Sequence, residues 1–239
     1  MDIIVRKAKL HDGNVVDIAI DRGIITQLSP RLTQPARTEI AANEQLVLPA
    51  FVNGQLHSCK VFWRRGLSKL SKNVQCLPRF EAAHHVKKQY TVEDVFNRVD
   101  EVMRLAILNG TCAIRLFADV DEDSGLTALK GLLEVKKKYS HVMTVQVAAF
   151  PQDGVFGGQT QTLMREAFEL GADVVAGIPW IEKTEEAKKA HTDMCFSLAK
   201  EFNRPLHLVC DDTVDENSRT LEYIARQTIE HGFEGRVAV

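Results

Sequence analysis

The stretch Leu46-Val47-Leu48-Pro49-Ala50-Phe51-Val52-Asn53-Gly54-Gln55-Leu56-His57 separates two rhythms in the chain. Before it, β-branched runs at 3–5, 15–20 and 23–28 are punctuated by Asp12-Gly13 and Asp21-Arg22-Gly23, the pattern of short strands joined by tight turns. After it, apolar runs of strand length alternate with amphipathic runs of helix length, the mark of βαβ units on a parallel sheet. The stretch itself is an apolar strand with a polar tip. Side chains on a strand alternate faces, so Gln55 and His57 are expected on one side. Two histidines at that spacing would converge on one divalent ion, and here the first position is glutamine.

The helical spacing of Val92, Val95, Val99, Val102, Met103 and Ala106 predicts a helix over 91–108, begun by a Thr91 cap and stopped by Asn109-Gly110. Further strands are expected at 112–118, 142–150, 173–178 and 206–210, with helices at 126–138, 161–170, 184–202 and 216–231 between and after them. The last residues, from Gly235, read as the start of another strand. The expected fold class is therefore α/β: a small antiparallel β-sheet domain over 1–49, then the N-terminal part of a TIM-type (β/α) barrel over 50–239. A closed barrel takes roughly 250 residues by itself. The second part thus reads as a barrel cut off after about five βα units, or as an open sheet.

Composition excludes several classes of function. With 30 Lys+Arg against 32 Asp+Glu the chain has no basic surplus, so nucleic acid is not an expected partner. Trp63-Arg64-Arg65 with Lys69, Lys72 and Arg79 is the one local basic patch, and its plainer reading is a solvated loop. Five cysteines, odd in number and without a Cys-x-x-Cys pair, point to reduced thiols and a cytoplasmic protein. No segment approaches the roughly 20 apolar residues of a membrane span, so no membrane partner is expected.

Reactive side chains of an α/β barrel sit at the C-terminal ends of its strands. Those ends are Gln55-Leu56-His57-Ser58-Cys59-Lys60, Arg115-Leu116-Phe117-Ala118-Asp119, Phe150-Pro151-Gln152-Asp153-Gly154, Ile178-Pro179-Trp180-Ile181-Glu182 and His207-Leu208-Val209-Cys210-Asp211-Asp212. Together with Pro49-Ala50-Phe51-Val52, Ala128-Leu129-Lys130-Gly131-Leu132-Leu133-Glu134-Val135-Lys136, Leu170-Gly171-Ala172-Asp173-Val174-Val175 and Asp215-Glu216-Asn217-Ser218-Arg219, they carry a resemblance. In fixed order along the chain, they resemble the cytosine deaminase-like branch of the metal-dependent amidohydrolase superfamily.

The resemblance implies a divalent metal, zinc or iron, and hydrolysis of a C–N bond in a small cyclic amidine-like ring. It implies metal ligands at Gln55 and His57, at Val209, and on an eighth strand. Of these positions only His57 keeps a ligand, and an open metal site needs about three protein ligands. The resemblance also places the proton-shuttling carboxylate at Asp212, the ring-contacting amide at Gln152, and the lysine after the metal pair at Lys60. His207, two residues before Val209, is a remote substitute ligand, and a hydrogen-bonded histidine inside the barrel is its plainer reading. Cys59 beside Lys60 reads either as an activated thiol or as an inert one. His84, His85 and His191 read as loop, surface or packing positions.

The expectation is thus a deaminase-type hydrolase with reduced or lost activity. The alternative is a non-catalytic pseudoenzyme or one half of a split enzyme. Unpaired strand edges would then favour self-association or a complementing C-terminal polypeptide.

Overall fold

The computed structural model describes residues 1–156 and 158–239, with the side chains of Arg79 and Phe80 left aside. The chain divides into two compact units, Met1–Ala50 and Phe51–Val239. In the first, β1 (Ile3–Lys9), β2 (Val15–Asp21), β3 (Ile24–Ser29) and β4 (Thr38–Ala41) form one sheet in the order β3-β2-β1-β4. The β1–β2 and β2–β3 pairs are antiparallel, as expected, whereas β4 adds parallel to β1 and makes the sheet mixed. Asp17 holds this unit together from the inside. It accepts from the Lys7 and Leu32 amides at 3.0 Å each and from the Arg6 guanidinium at 3.0 Å.

The second unit is a six-stranded parallel sheet built of β5 (Phe51–Leu56), β6 (Thr111–Asp119), β7 (Thr144–Phe150), β8 (Val174–Gly177), β9 (Leu206–Leu208) and β10 (Val237–Ala238). The strands lie side by side in sequence order. Short helices α1 (Arg64–Leu67), α2 (Lys72–Gln75) and α3 (Arg79–Lys87) follow β5 and lead into α4 (Val92–Leu108). The helices α5 (Thr127–Tyr139), α6 (Thr160–Glu169), α7 (Glu185–Glu201) and α8 (Thr220–Glu230) follow the next four strands. The expected α/β architecture, a half-barrel of parallel strands after a small sheet, is the one observed.

The alternation of strand side chains sorts the residues into two cores. On one side of the sheet Leu116, Ala118, Val147, Ala149 and Val175 pack with the helices. On the other, Phe117, Ala148, Phe150, Val174, Ala176 and Ile178 form a separate apolar cluster, with Trp180 and Val209 against it. This second cluster is the floor of the site. At Gly131, where α5 meets α4, an added Cβ would lie 2.9 Å from the Val95 side chain, so glycine sets how closely those helices approach.

Three local expectations need correction. The fifth strand starts at Phe51 rather than Leu46, because Pro49 has no amide to give a ladder and Leu46 makes only one bridge, to Lys9. The basic patch Trp63-Arg64-Arg65 with Lys69, Lys72 and Arg79, and the pair His84-His85, read as loop positions, lie on or beside α1, α2 and α3, so His84 and His85 are helical. Finally, α8 starts at Thr220 rather than 216. The carboxylate of Asp211 accepts from the Thr220 and Leu221 amides at 2.9 and 3.0 Å and sets the helix start there. Among the described residues no helix is long and apolar enough to cross a membrane.

Candidate functional site

A cleft of about 580 Å³ opens at the C-terminal ends of the parallel strands. Gln55, His57, Lys60, Gln152 and Asp212 all line it, so three segments far apart in sequence meet in one place. Its apolar wall is Phe150, Ile178, Trp180 and Val209. His84 and Lys87 of α3 line it too, and neither was anticipated.

His57 lies just past β5, with backbone angles φ −71° and ψ 73°, ahead of a single 3-10 turn over Ser58–Lys60. Its ring sits 5.3 Å from that of Phe117 and 5.0 Å from that of Phe150. Burial lowers its pKa, and the Lys60 charge adds to the effect against Asp119 and Asp212, so the imidazole is held neutral at physiological pH. Its Nδ1 is buried with no hydrogen-bond partner among the described residues.

The turn carrying Lys60 is anchored by Arg98 of α4, whose guanidinium donates to the carbonyls of Cys59 and Val61 at 2.7 Å each. Lys60 Nζ reaches Asp119 Oδ1 at 3.1 Å and donates to Gln152 Oε1. Asp119 is fully buried, and its two oxygens are close to cations without being aligned for hydrogen bonds. Its second oxygen lies 3.7 Å from Lys87 Nζ, which also pairs with Asp121 at 2.6 Å and Asp153 at 2.7 Å. Burial by itself would lower the Lys87 pKa, but Asp119 and Asp121 outweigh it and raise it. Asp121 is held below the usual carboxylate range, the Lys87 charge and hydrogen bond overcoming its burial.

A separate set of bonds fixes the segment that bears Gln152. Gly154, at φ +89°, lets residues 151–155 turn, and the Val155 amide donates to Glu182 Oε1 at 2.8 Å. The same oxygen lies 2.9 Å from Nδ1 of the fully buried His191. His191 Nε2 accepts from the Ile178 amide at 3.2 Å, so the ring proton is on Nδ1 and is donated to Glu182. His191 therefore ties the Gln152 segment to the end of β8 from below the cleft.

His207 stands apart from the cleft. It borders a second hollow with Asn53, Gln55, Arg115 and Gln146, and its Nδ1 accepts from Arg115 at 2.9 Å. Burial, with Arg115 and His57 adding to it, depresses its pKa to about 4. Cys59 is buried and its pKa is pushed up, first by burial and then by Asp119, which corrects the activated-thiol reading: the neighbouring ammonium does not win. Asp212 is exposed at the rim.

The residues at hand do not fit a divalent ion. Among the described residues no three His, Cys, Asp or Glu side chains converge to hold one. Phe117 and Val209 occupy the inner face as packed apolar side chains, and Gln55 offers a neutral amide. His57 is left as a lone imidazole.

Among known proteins, the chain is 28% identical, over an alignment 249 positions long, to an N-isopropylammelide isopropyl amidohydrolase of Pseudomonas sp. (strain ADP), a match covering 99% of this chain and 60% of that protein. It is 26% identical to a pterin deaminase of Rhizobium rhizogenes, over 92% of this chain and 50% of that one. A crystal structure of 5-methylcytosine deaminase from Klebsiella pneumoniae, liganded with phosphonocytosine, superposes with a TM-score of 0.86 at 26% identity, covering 98% of this chain and 58% of that one. An N-isopropylammelide isopropylaminohydrolase from Burkholderia multivorans gives a TM-score of 0.85 at 25% identity, covering 99% and 60%. No family model matches the chain. The chain spans roughly half to three-fifths of the length of the curated relatives it matches. These relatives and neighbours are amidohydrolase-superfamily proteins, and they match its cytosine deaminase-like branch.

Proposed function

We propose that this chain keeps the ring-binding half of a C–N hydrolase site of the cytosine deaminase-like branch and has lost most of its metal half, so that hydrolysis by the chain alone is reduced or absent. In this reading a small cyclic amidine-like ring lies against Phe150 and Trp180, meets Gln152 and Lys60 at one edge, and faces Asp212 at the rim. Asp212 takes the proton-shuttling role, with a side chain one methylene shorter than glutamate. Proton transfer needs heavy atoms about 2.6–3.2 Å apart, so the shorter reach weakens that step. The observation that carries the reading is the apolar pair Phe117 and Val209 on the inner face, set against the intact Lys60–Gln152 contact. Hydrolysis by this superfamily depends on a metal-activated water, and zinc or iron is the ion implied for this branch. The cytoplasm as the chain's compartment rests on its odd number of cysteines.

The test is metal analysis of the purified chain together with ammonia release from cytosine and isocytosine in added zinc, iron or manganese. Metal well below one equivalent and no release above the blank are expected. One tightly held equivalent with turnover overturns the reading.

A complementing polypeptide or a second copy is the partner this reading assigns. Among the described residues β5, a lateral strand of the parallel sheet, pairs on one side only, and its Phe51 and Val52 are 61% and 71% exposed. Such edges pair readily with other strands.

A further inference from the structure

The hollow that His207 borders holds a positive charge with no negative one beside it. Its volume is about 350 Å³, and no Asp or Glu lines it. Arg115, half-buried there, donates from Nε to Gln146 Oε1 at 2.9 Å and from a terminal nitrogen to His207 Nδ1 at 2.9 Å. Two of the five N–H donors of a guanidinium are thus used, and the other three make no hydrogen bond among the described residues. Burial lowers the Arg115 pKa, with no carboxylate opposing it. Arg98 and Lys87, which are also buried, each have a carboxylate at hand, Asp94 at 2.8 Å and Asp121 at 2.6 Å. A charge taken out of water without a partner is costly, and an anion beside it removes the cost.

The polar neighbours of Arg115 present the same sign. Arginine only donates, so Gln146 meets it with its oxygen and keeps its NH₂ free, and His207 meets it with a bare Nδ1, which makes the ring neutral with its proton on Nε2. Asn53 Oδ1 accepts from the Gln55 amide at 3.2 Å, which leaves the Asn53 NH₂. None of these three donors has an acceptor among the described residues.

We propose that the hollow around Arg115 is a binding site for a single carboxylate group, whose oxygens take the free N–H groups of the guanidinium, with the side-chain donors of Asn53, Gln146 and His207 about them. Paired, parallel bonds are the arrangement that guanidinium and carboxylate favour. Arg115 is the one cation lining the hollow, which matches a monoanion better than a dianion such as hydrogen phosphate. The hollow shares only Gln55 with the cleft, so the proposal does not rest on the ring-binding reading.

The experiment titrates sodium acetate into the full chain at constant ionic strength, with sodium chloride as the salt it replaces. Binding is followed by calorimetry and by the Arg115 Nε–H resonance in ¹⁵N–¹H NMR. A saturable heat and a saturable shift of that resonance are expected with acetate and not with chloride, and weaker binding is expected with phosphate. Arg115→Lys keeps the charge without the planar fork and is expected to lose about tenfold or more in affinity. Arg115→Met is expected to abolish binding. Asn53→Asp brings a carboxylate into the hollow while keeping an acceptor for the Gln55 amide; it is expected to weaken acetate binding, and it serves if Arg115→Met does not fold. No saturable response to acetate, or one that Arg115→Met or Asn53→Asp leaves unchanged, overturns the site. An equal response to chloride is charge screening and overturns it too. Tighter binding of phosphate, or full affinity in Arg115→Lys, overturns the assignment to a carboxylate.

Discussion

Lys87 shows how much of the site depends on single residues. It is 3% exposed and faces Asp119, Asp121 and Asp153, so removing its charge leaves the buried Asp121 without its ion-pair partner and the buried Asp119 with Lys60 alone. Breaking such a pair costs about 3 kcal/mol. The pH window follows from the two shifts. Asp121 has a depressed folded pKa, so its contribution is complete above the ordinary value of about 3.9 and is lost as pH falls through the folded value. The raised Lys87 pKa gives a contribution complete below about 10.4 and lost as pH rises through the folded value. Lys87→Met should therefore lower the urea midpoint at pH 7 and lose most of that effect in strong acid; an equal shift at both pH values would show that the lost charge is not the cause. In the sequence the cleft-lining positions His57, Lys60, Gln152 and Asp212 were legible, because each follows the end of a strand. Lys87 and His84 were not. Their signal was indirect: Asp119, Asp121 and Asp153 crowd adjacent strand ends and require a cation from some other segment.

Among the elements, those with a strong period and a cap were readable. Helix α4 begins where Thr91 accepts from the Asp94 amide at 3.0 Å, and α7 where Thr184 accepts from the Ala187 amide at 3.2 Å. Strand β4 is four exposed residues whose stability comes from pairing with a distant β1, which no local window reveals. Among its described side chains helix α3 buries only the short apolar pair Ala82 and Val86, and a His84–Asp123 hydrogen bond and the long-range ion pairs of Lys87 hold it to the loops beyond β6 and β7. Helix α8 was placed four residues too early because its cap is not adjacent in sequence. Asp211, itself at φ +49°, accepts from Thr220 Oγ1 at 2.7 Å as well as from the two amides, and its pKa is held at about 2. Burial opposes that depression, and the bonds from Ser218, Leu221 and Thr220 overcome it. Asp211→Ala is expected to cost about 1 kcal/mol, the usual loss for an N-terminal cap. Because the folded pKa is lowered, the wild-type advantage is complete above pH about 3.9 and fades as pH falls toward 2. Denaturation series at pH 7 and pH 2 measure this, and an undiminished difference at pH 2 would remove the carboxylate from the account.

At the scale of the second unit, the two faces of the parallel sheet carry different layers. The outward layer of the half-barrel is a dense core with the helices, as the periodicity predicts. The inner layer packs Phe117 with Ala148 and Phe150, and Val209 lies against this cluster at a position where the resemblance implies a metal ligand. Strand β5 pairs with β6 on one side only and presents Phe51 and Val52 to solvent. A charged side chain on an edge strand opposes pairing with another chain, because the added strand would bury it. Val52→Lys should therefore shift the sedimentation profile of the chain toward the monomer over a concentration series, with circular dichroism unchanged. A wild-type chain that sediments as a monomer throughout, or association that Val52→Lys leaves intact, would mean that this edge is not where the molecule finds a partner.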